Sequence, residues 1–145
     1  MFMGSVPDPQ DEVELAASMI GQGRVEASPL AMATVAASIE SGRTVRPVLL
    51  PDHRSSTPQA APLTAQEVSQ LRAMLEAVIQ DGSATFLRGI AAGAKTGTAE
   101  YGTETPPRTH AWMIGYTHDA AVAVWVHDGD SGSGTAGPLL KQYLQ

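Results

Sequence analysis

A chain of 145 residues has the size of one domain, and a hydrophobic content of 43% is enough to build a core. The formal net charge of −6 comes with acids in both halves and no basic stripe, which sets aside nucleic acid as a partner. No cysteine is present, so there is neither a disulfide nor a thiolate metal site.

The opening stretch, MFMGSVPDPQDEVELAAS, lacks a basic flank and a long apolar run, and reads as neither a signal peptide nor a membrane span. The first marked element is SPLAMATVAASIESG, a helix over 28–42. Ser28 is placed to be its N-cap, Pro29 takes the first helical position, and Gly42 stands where a terminating glycine belongs. TVRPVLL, Thr44 to Leu50, reads as a short extended segment interrupted by Pro47. A polar, proline-rich loop follows from Pro51 to Pro62. A second helix is expected over 64–81. Thr64 and Glu67 form the capping-box pattern, and Val68, Leu71, Leu75, Val78 and Ile79 recur at helical spacing until Asp81-Gly82 ends the run. Residues 21–82 are therefore read as the helical part of the chain.

From 83 to 145 the period changes to two. GIAAGAKTGTAE predicts a strand of small residues over about 91–100. HAWMIGYT and AVAVWVH predict strands over 110–117 and 121–127, joined by a turn at His118-Asp119-Ala120. Both carry apolar residues on both faces, so a sheet covered on both faces is expected. GDSGSGTAG reads as a loop, and a short helix, Pro138 to Leu144, closes the chain within about 136–144. The fold class is α/β, in the α+β sense: an antiparallel sheet of at least three strands with helices packed on it.

The sequence holds two lysines, Lys95 and Lys141. Lys95 stands in AGAKTGTAE, on a strand with no other basic residue. Residues 95 and 97 share one face of that strand, and 96 and 98 the other. Gly97 leaves room beside Lys95 for a ligand's backbone to approach and pair with the strand. Lys95 would give a positive charge, Thr96 and Thr98 hydroxyls for an anion, and the Thr98 N–H a donor to a developing oxyanion. The bland reading is an edge strand with a solvated lysine.

Three weaker signals have plainer readings. Gly129-Asp130-Ser131-Gly132 has the letters of a serine-protease motif, but only 14 residues follow Ser131, too few for a pocket wall. A turn-forming loop accounts for it. Gly89 to Thr96 misses a phosphate-binding loop because Ala94 replaces the last glycine and no apolar helix follows. His53, His110, His118 and His127 have no metal-ligand spacing and read as satisfied or solvated side chains. No metal or cofactor is expected.

Lys95-Thr96-Gly97 is the K-T-G found in penicillin-binding proteins and class A β-lactamases, beside S-x-x-K and S-x-N motifs. More of the chain agrees. MIGQGRVEASPLAMATVAASIESGRTVRPVL resembles the I-G-Q-G and T-P-L-Q-M-A stretch upstream of K-T-G in these enzymes. Gly93 to Glu100 resembles K-T-G-T-A-E/Q, HAWMIGY the H-A-W-F-x-G-Y/F strand, and DSGSGTAGPLLKQYL the terminal G-G-x-A-A-P-I helix. In order and spacing, from about Gly21 onward, the chain is similar to a class B penicillin-binding transpeptidase. The departures are as informative. Ala92 and Pro138 stand three residues before the two lysines, so there is no S-x-x-K, and without any asparagine there is no S-x-N.

The resemblance therefore implies the C-terminal part of a transpeptidase domain, an incomplete domain starting after both motifs. In the family the serine attacks a D-Ala-D-Ala stem peptide and forms an acyl-enzyme. Carried onto this sequence, Thr96 and Thr98 would hold the carboxylate of the peptide or β-lactam. The Thr98 N–H would face the oxyanion, and Lys95 would stabilise the anionic site and meet the absent S-x-N serine. The catalytic nucleophile would have to come from elsewhere, and the parent protein would work at the extracytoplasmic face of the cell membrane. Two function classes follow: part of a peptidoglycan D,D-transpeptidase, inactive alone, or a non-catalytic binding module that reuses the half-domain. Surface bared by the missing helices leads us to expect a homodimer, a domain swap or poor solubility.

Overall fold

The computed structural model describes residues 2–48, 50 and 61–145. Leu49 and the polar loop expected from Pro51, as far as residue 60, lie outside the described residues.

The elements follow in chain order. Strand β1 (Gly4–Ser5) precedes helix α1 (Glu12–Met19), and β1 pairs antiparallel with β2 (Glu26–Ala27). The sequence pattern marks no element over these residues. Helix α1 starts at Asp11, whose carboxylate accepts the Glu14 N–H at 2.8 Å, but the helix buries no residue, so its apolar positions carry no core-facing stripe.

Helix α2 (Pro29–Ser41) is capped as expected: Ser28 Oγ accepts the Ala31 N–H at 3.1 Å, and Gly42 ends the helix in the left-handed region at φ 68°. The described residues of the extended segment, 44–48, join no ladder. Helix α3 (Ala65–Gln80) carries the full capping box, with Thr64 and Glu67 exchanging side-chain and backbone bonds. Those bonds, the Thr64 N–H first, hold the Glu67 carboxyl below its ordinary value.

The main sheet is an antiparallel meander of β3 (Gly93–Tyr101), β4 (Arg108–Tyr116) and β5 (Ala121–Val126), with β4 in the middle. The turn after β4 is fixed by Thr117, whose Oγ1 accepts the N–H groups of Asp119 and Ala120. On one face Ala94, Ala111 and Met113 are buried against Ile79 of α3, Leu87, and Leu140 of the last helix, α4 (Gly137–Leu144). On the other, Ile114 and Tyr116 meet Ala36 and Ile39 of α2 and Leu75 of α3. Burial pushes the Tyr116 hydroxyl up.

Two expectations are corrected. The second face is covered at one end only: α2 takes Ile114, Tyr116, Ala121 and Ala123, while Trp125 stays 41% exposed. The glycine-rich stretch before α4 is also not wholly a loop. Gly132–Ala136 forms a π-helical turn, started by Ser131, whose Oγ accepts the Gly134 N–H and whose C=O accepts the Thr135 N–H. Gly132 lies so close under the sheet that a Cβ would collide with the backbone of Trp112 and Gly97. Small residues there let the turn pack on β3 and β4.

Candidate functional site

In the described residues β3 is an edge strand, and its register decides where each candidate side chain goes. Lys95 pairs with Ile114 and Gly97 with Trp112, which puts both on the α2 face. Thr96 pairs with Met113 and Thr98 with Ala111, which turns their side chains to the other face. The alternation read from the sequence is the alternation found.

Lys95, Thr96, Gly97 and Thr98 line one groove of about 250 Å³, walled by Trp112 and Ile114 of β4, Met32 of α2, and the loop after α1. Lys95 is exposed, and its Nζ donates to the Thr96 C=O at 2.6 Å. The Thr96 hydroxyl lies 3.1 Å from that of Ser83. Gly97 forms the open floor: a Cβ there would lie 3.3 Å from the Trp112 Cβ. The Thr96 and Thr98 carbonyls both accept from side chains on the open edge, Lys95 and Gln22, rather than from β4. In an antiparallel ladder the N–H and C=O of one residue point the same way, so the Thr98 N–H faces that edge too.

Gln22 was not singled out from the sequence. Its Nε2 donates to the Thr98 C=O at 3.0 Å. It stands between Gly21 (φ 76°) and Gly23 (φ 69°), where the left-handed backbone turns the chain back from α1. The Gln22 N–H donates to Ala17 C=O at 2.9 Å, which fixes the backbone and aims the side chain at β3. Arg24 steadies the same loop by binding the Glu14 carboxylate and the Asp8 C=O, and its hydrogen bond holds the Glu14 carboxyl below its ordinary value. The signal in the sequence was a polar residue framed by two glycines, within the I-G-Q-G stretch.

A second cluster lies beyond the groove along the same face. Tyr101 and His110 stack at 4.0 Å, His127 lies 4.9 Å from His110, and Trp125 bridges toward Trp112. The Tyr101 hydroxyl donates to Asp128, which Arg108 and His127 also approach. The tyrosine bond first, then the neighbouring His127 and Arg108 side chains, keeps the Asp128 carboxyl below its ordinary value, while burial and Asp128 push the Tyr101 hydroxyl up. Among the described residues His110 Nδ1 is buried with no hydrogen-bond partner. Among the described residues no group of three His, Asp or Glu side chains is disposed to hold a metal ion.

Chemically the groove offers a cation, a backbone N–H on an open edge, and a glycine floor. Among the described residues that line it, none is an activated nucleophile. Ser83 reaches Thr96, but Phe86, not a lysine, follows three residues later.

A family model described as the penicillin binding protein transpeptidase domain matches residues 2–145. The chain is 38% identical over 151 residues to peptidoglycan D,D-transpeptidase PbpA of Mycolicibacterium smegmatis, covering 89% of this chain and 30% of that protein. The Mycobacterium tuberculosis PbpA is 35% identical over 159 residues, with 94% and 31% covered. Penicillin-binding protein A from M. tuberculosis, solved as a ceftriaxone acyl-enzyme complex, superposes with a TM-score of 0.75 at 28% identity, over 95% of this chain and 36% of that one. The chain thus spans about a third of the length of the relatives it matches.

Proposed function

Because this chain belongs to the penicillin-binding protein transpeptidase family, we propose that it is the part of a peptidoglycan D,D-transpeptidase that carries the substrate-binding strand, and that alone it is inactive. In this reading residues 21–82 supply the helical wall and 83–145 the K-T-G strand, its two partner strands and the closing helix. Lys95 attracts the terminal carboxylate of a stem peptide or β-lactam, and Thr96 and Thr98 bind it from the outer edge of the strand, where both line the groove although their side chains start from the opposite face. Gly97 lets the ligand backbone approach, and the Thr98 N–H faces the carbonyl oxygen as it gains charge. The observation that carries the reading is the groove itself, where Lys95, Gly97 and Thr98 line one open strand edge. The parent enzyme would act at the extracytoplasmic face of the membrane. Among the described residues no helix is long and apolar enough to cross one.

Acylation requires a serine whose proton passes to a base within about 3 Å. Neither S-x-x-K nor S-x-N occurs in the sequence. The chain incubated with labelled penicillin, denatured and weighed should therefore carry no adduct, and a stable adduct would overturn the assignment. Supplying a polypeptide from a relative that bears both motifs should place the label on that polypeptide. Failure to do so while the groove still binds ligand would favour a non-catalytic binding module.

A further inference from the structure

We propose that Gln22 is a placeholder for the ligand: its carboxamide occupies, on the open edge of β3, the position an incoming amide N–H must take, and it leaves when the ligand docks. This rests on the reading of β3 as the substrate-binding strand.

A chain that adds to a strand edge pairs with both the N–H and the C=O of an outward-facing residue. On β3 that residue is Thr98. Its C=O is already engaged by the Gln22 Nε2 at 3.0 Å. A primary carboxamide is the side-chain group closest in chemistry to a peptide amide, so Gln22 satisfies the acceptor as a bound peptide or acylamide would. Gln22 also lines the groove that holds Lys95 and Gly97, so its side chain stands in the volume the ligand needs. The backbone of Gln22 is fixed to the end of α1 by its bond to Ala17, whereas the side chain makes its bond to Thr98 in an exposed setting. The side chain can therefore swing out to water without moving the loop. What is lost is one exposed hydrogen bond, worth a modest net amount, so the placeholder is displaceable and lowers ligand affinity only by roughly fivefold.

A residue that merely braced β3 would show the opposite behaviour, since its removal would loosen the edge and weaken binding. The test is a titration of the isotope-labelled 145-residue chain with N-acetyl-D-alanyl-D-alanine, followed by NMR, for the parent, Gln22→Ala, Gln22→Asn and Lys95→Ala. Gln22→Asn keeps the carboxamide but is one methylene short of Thr98. At saturation the Gln22 side-chain amide should move to the position of a solvated carboxamide. Both Gln22 variants should bind roughly fivefold tighter, and Lys95→Ala should lose binding. Equal or weaker binding by the Gln22 variants, with Lys95-dependent binding in the parent, overturns the placeholder alone. So does a Gln22 amide signal that stays put at saturation. Binding by none of the four proteins overturns the substrate-strand reading, and the placeholder with it.

Discussion

Gly97 and Asp128 carry two different kinds of consequence at the scale of single residues. Gly97 has an ordinary strand conformation, so a methyl group is not excluded by backbone angles, and its nearest neighbour would be the Trp112 Cβ at 3.3 Å. The methyl would stand on the groove floor beside Lys95. Gly97→Ala should lower the thermal midpoint slightly, because the Trp112 Cβ must give way, and weaken N-acetyl-D-alanyl-D-alanine at least tenfold, about 1.4 kcal/mol. Paired melting and titration measurements check both halves. Asp128 acts through pH. Its carboxyl is held below the ordinary value in the folded chain, mainly by the Tyr101 hydroxyl. A lowered folded value means that the stabilisation is present above the ordinary carboxylate range and is lost as pH falls through and below it. Asp128→Asn should therefore flatten the acid side of a plot of thermal midpoint against pH. The backbone at this position is left-handed (φ 53°), which asparagine also tolerates, so the comparison isolates the charge.

At the scale of elements, α2 forms one wall of the groove through Met32 and covers half of one sheet face through Ala36 and Ile39. Its start depends on a single side chain, since Ser28 Oγ accepts the Ala31 N–H. Ser28→Ala should cost about 1 kcal/mol, read as a fall of roughly 4 °C in the thermal midpoint. This cap was legible in the sequence, as was the Thr64–Glu67 box, because a capping bond joins residues three apart. The strands were legible because alternation is local too, and so were the faces to which Lys95 and Thr96 point. Helix α1 was not, since Val13, Leu15 and Met19 are all exposed and mark no core-facing side. The bond from Gln22 to Thr98 joins residues far apart in the chain, so no local pattern encodes it. The π-helical turn at Gly132–Ala136 was hidden by its glycines, which read as a loop until the sheet above demands a close approach.

For the molecule as a whole, what matters is surface left without cover. Val13, Met19 and Ile20 around α1, Trp125 on the sheet, and Leu139 and Tyr143 on α4 are large, apolar and exposed. Neither outer edge of the three-stranded sheet has a strand partner among the described residues. Apolar patches beyond about 400 Å² and open strand edges both favour association. Light scattering should show dimers or larger species as concentration rises, and Trp125→Lys should shift the balance toward monomer. A clean monomer at high concentration would count against this expectation. The meander has a further consequence, for the order in which the chain acquires its structure. Its strands are consecutive, and no rung joins residues farther apart in sequence than Gly93 and Tyr116. Closing such short loops costs little chain entropy, so these ladders can zip up early from their own turns. Helix α2 reaches the same sheet from much farther up the chain, across the segment that precedes α3. The groove between them should therefore form late in folding, with its β3 floor laid down first and the wall bearing Met32 arriving afterwards.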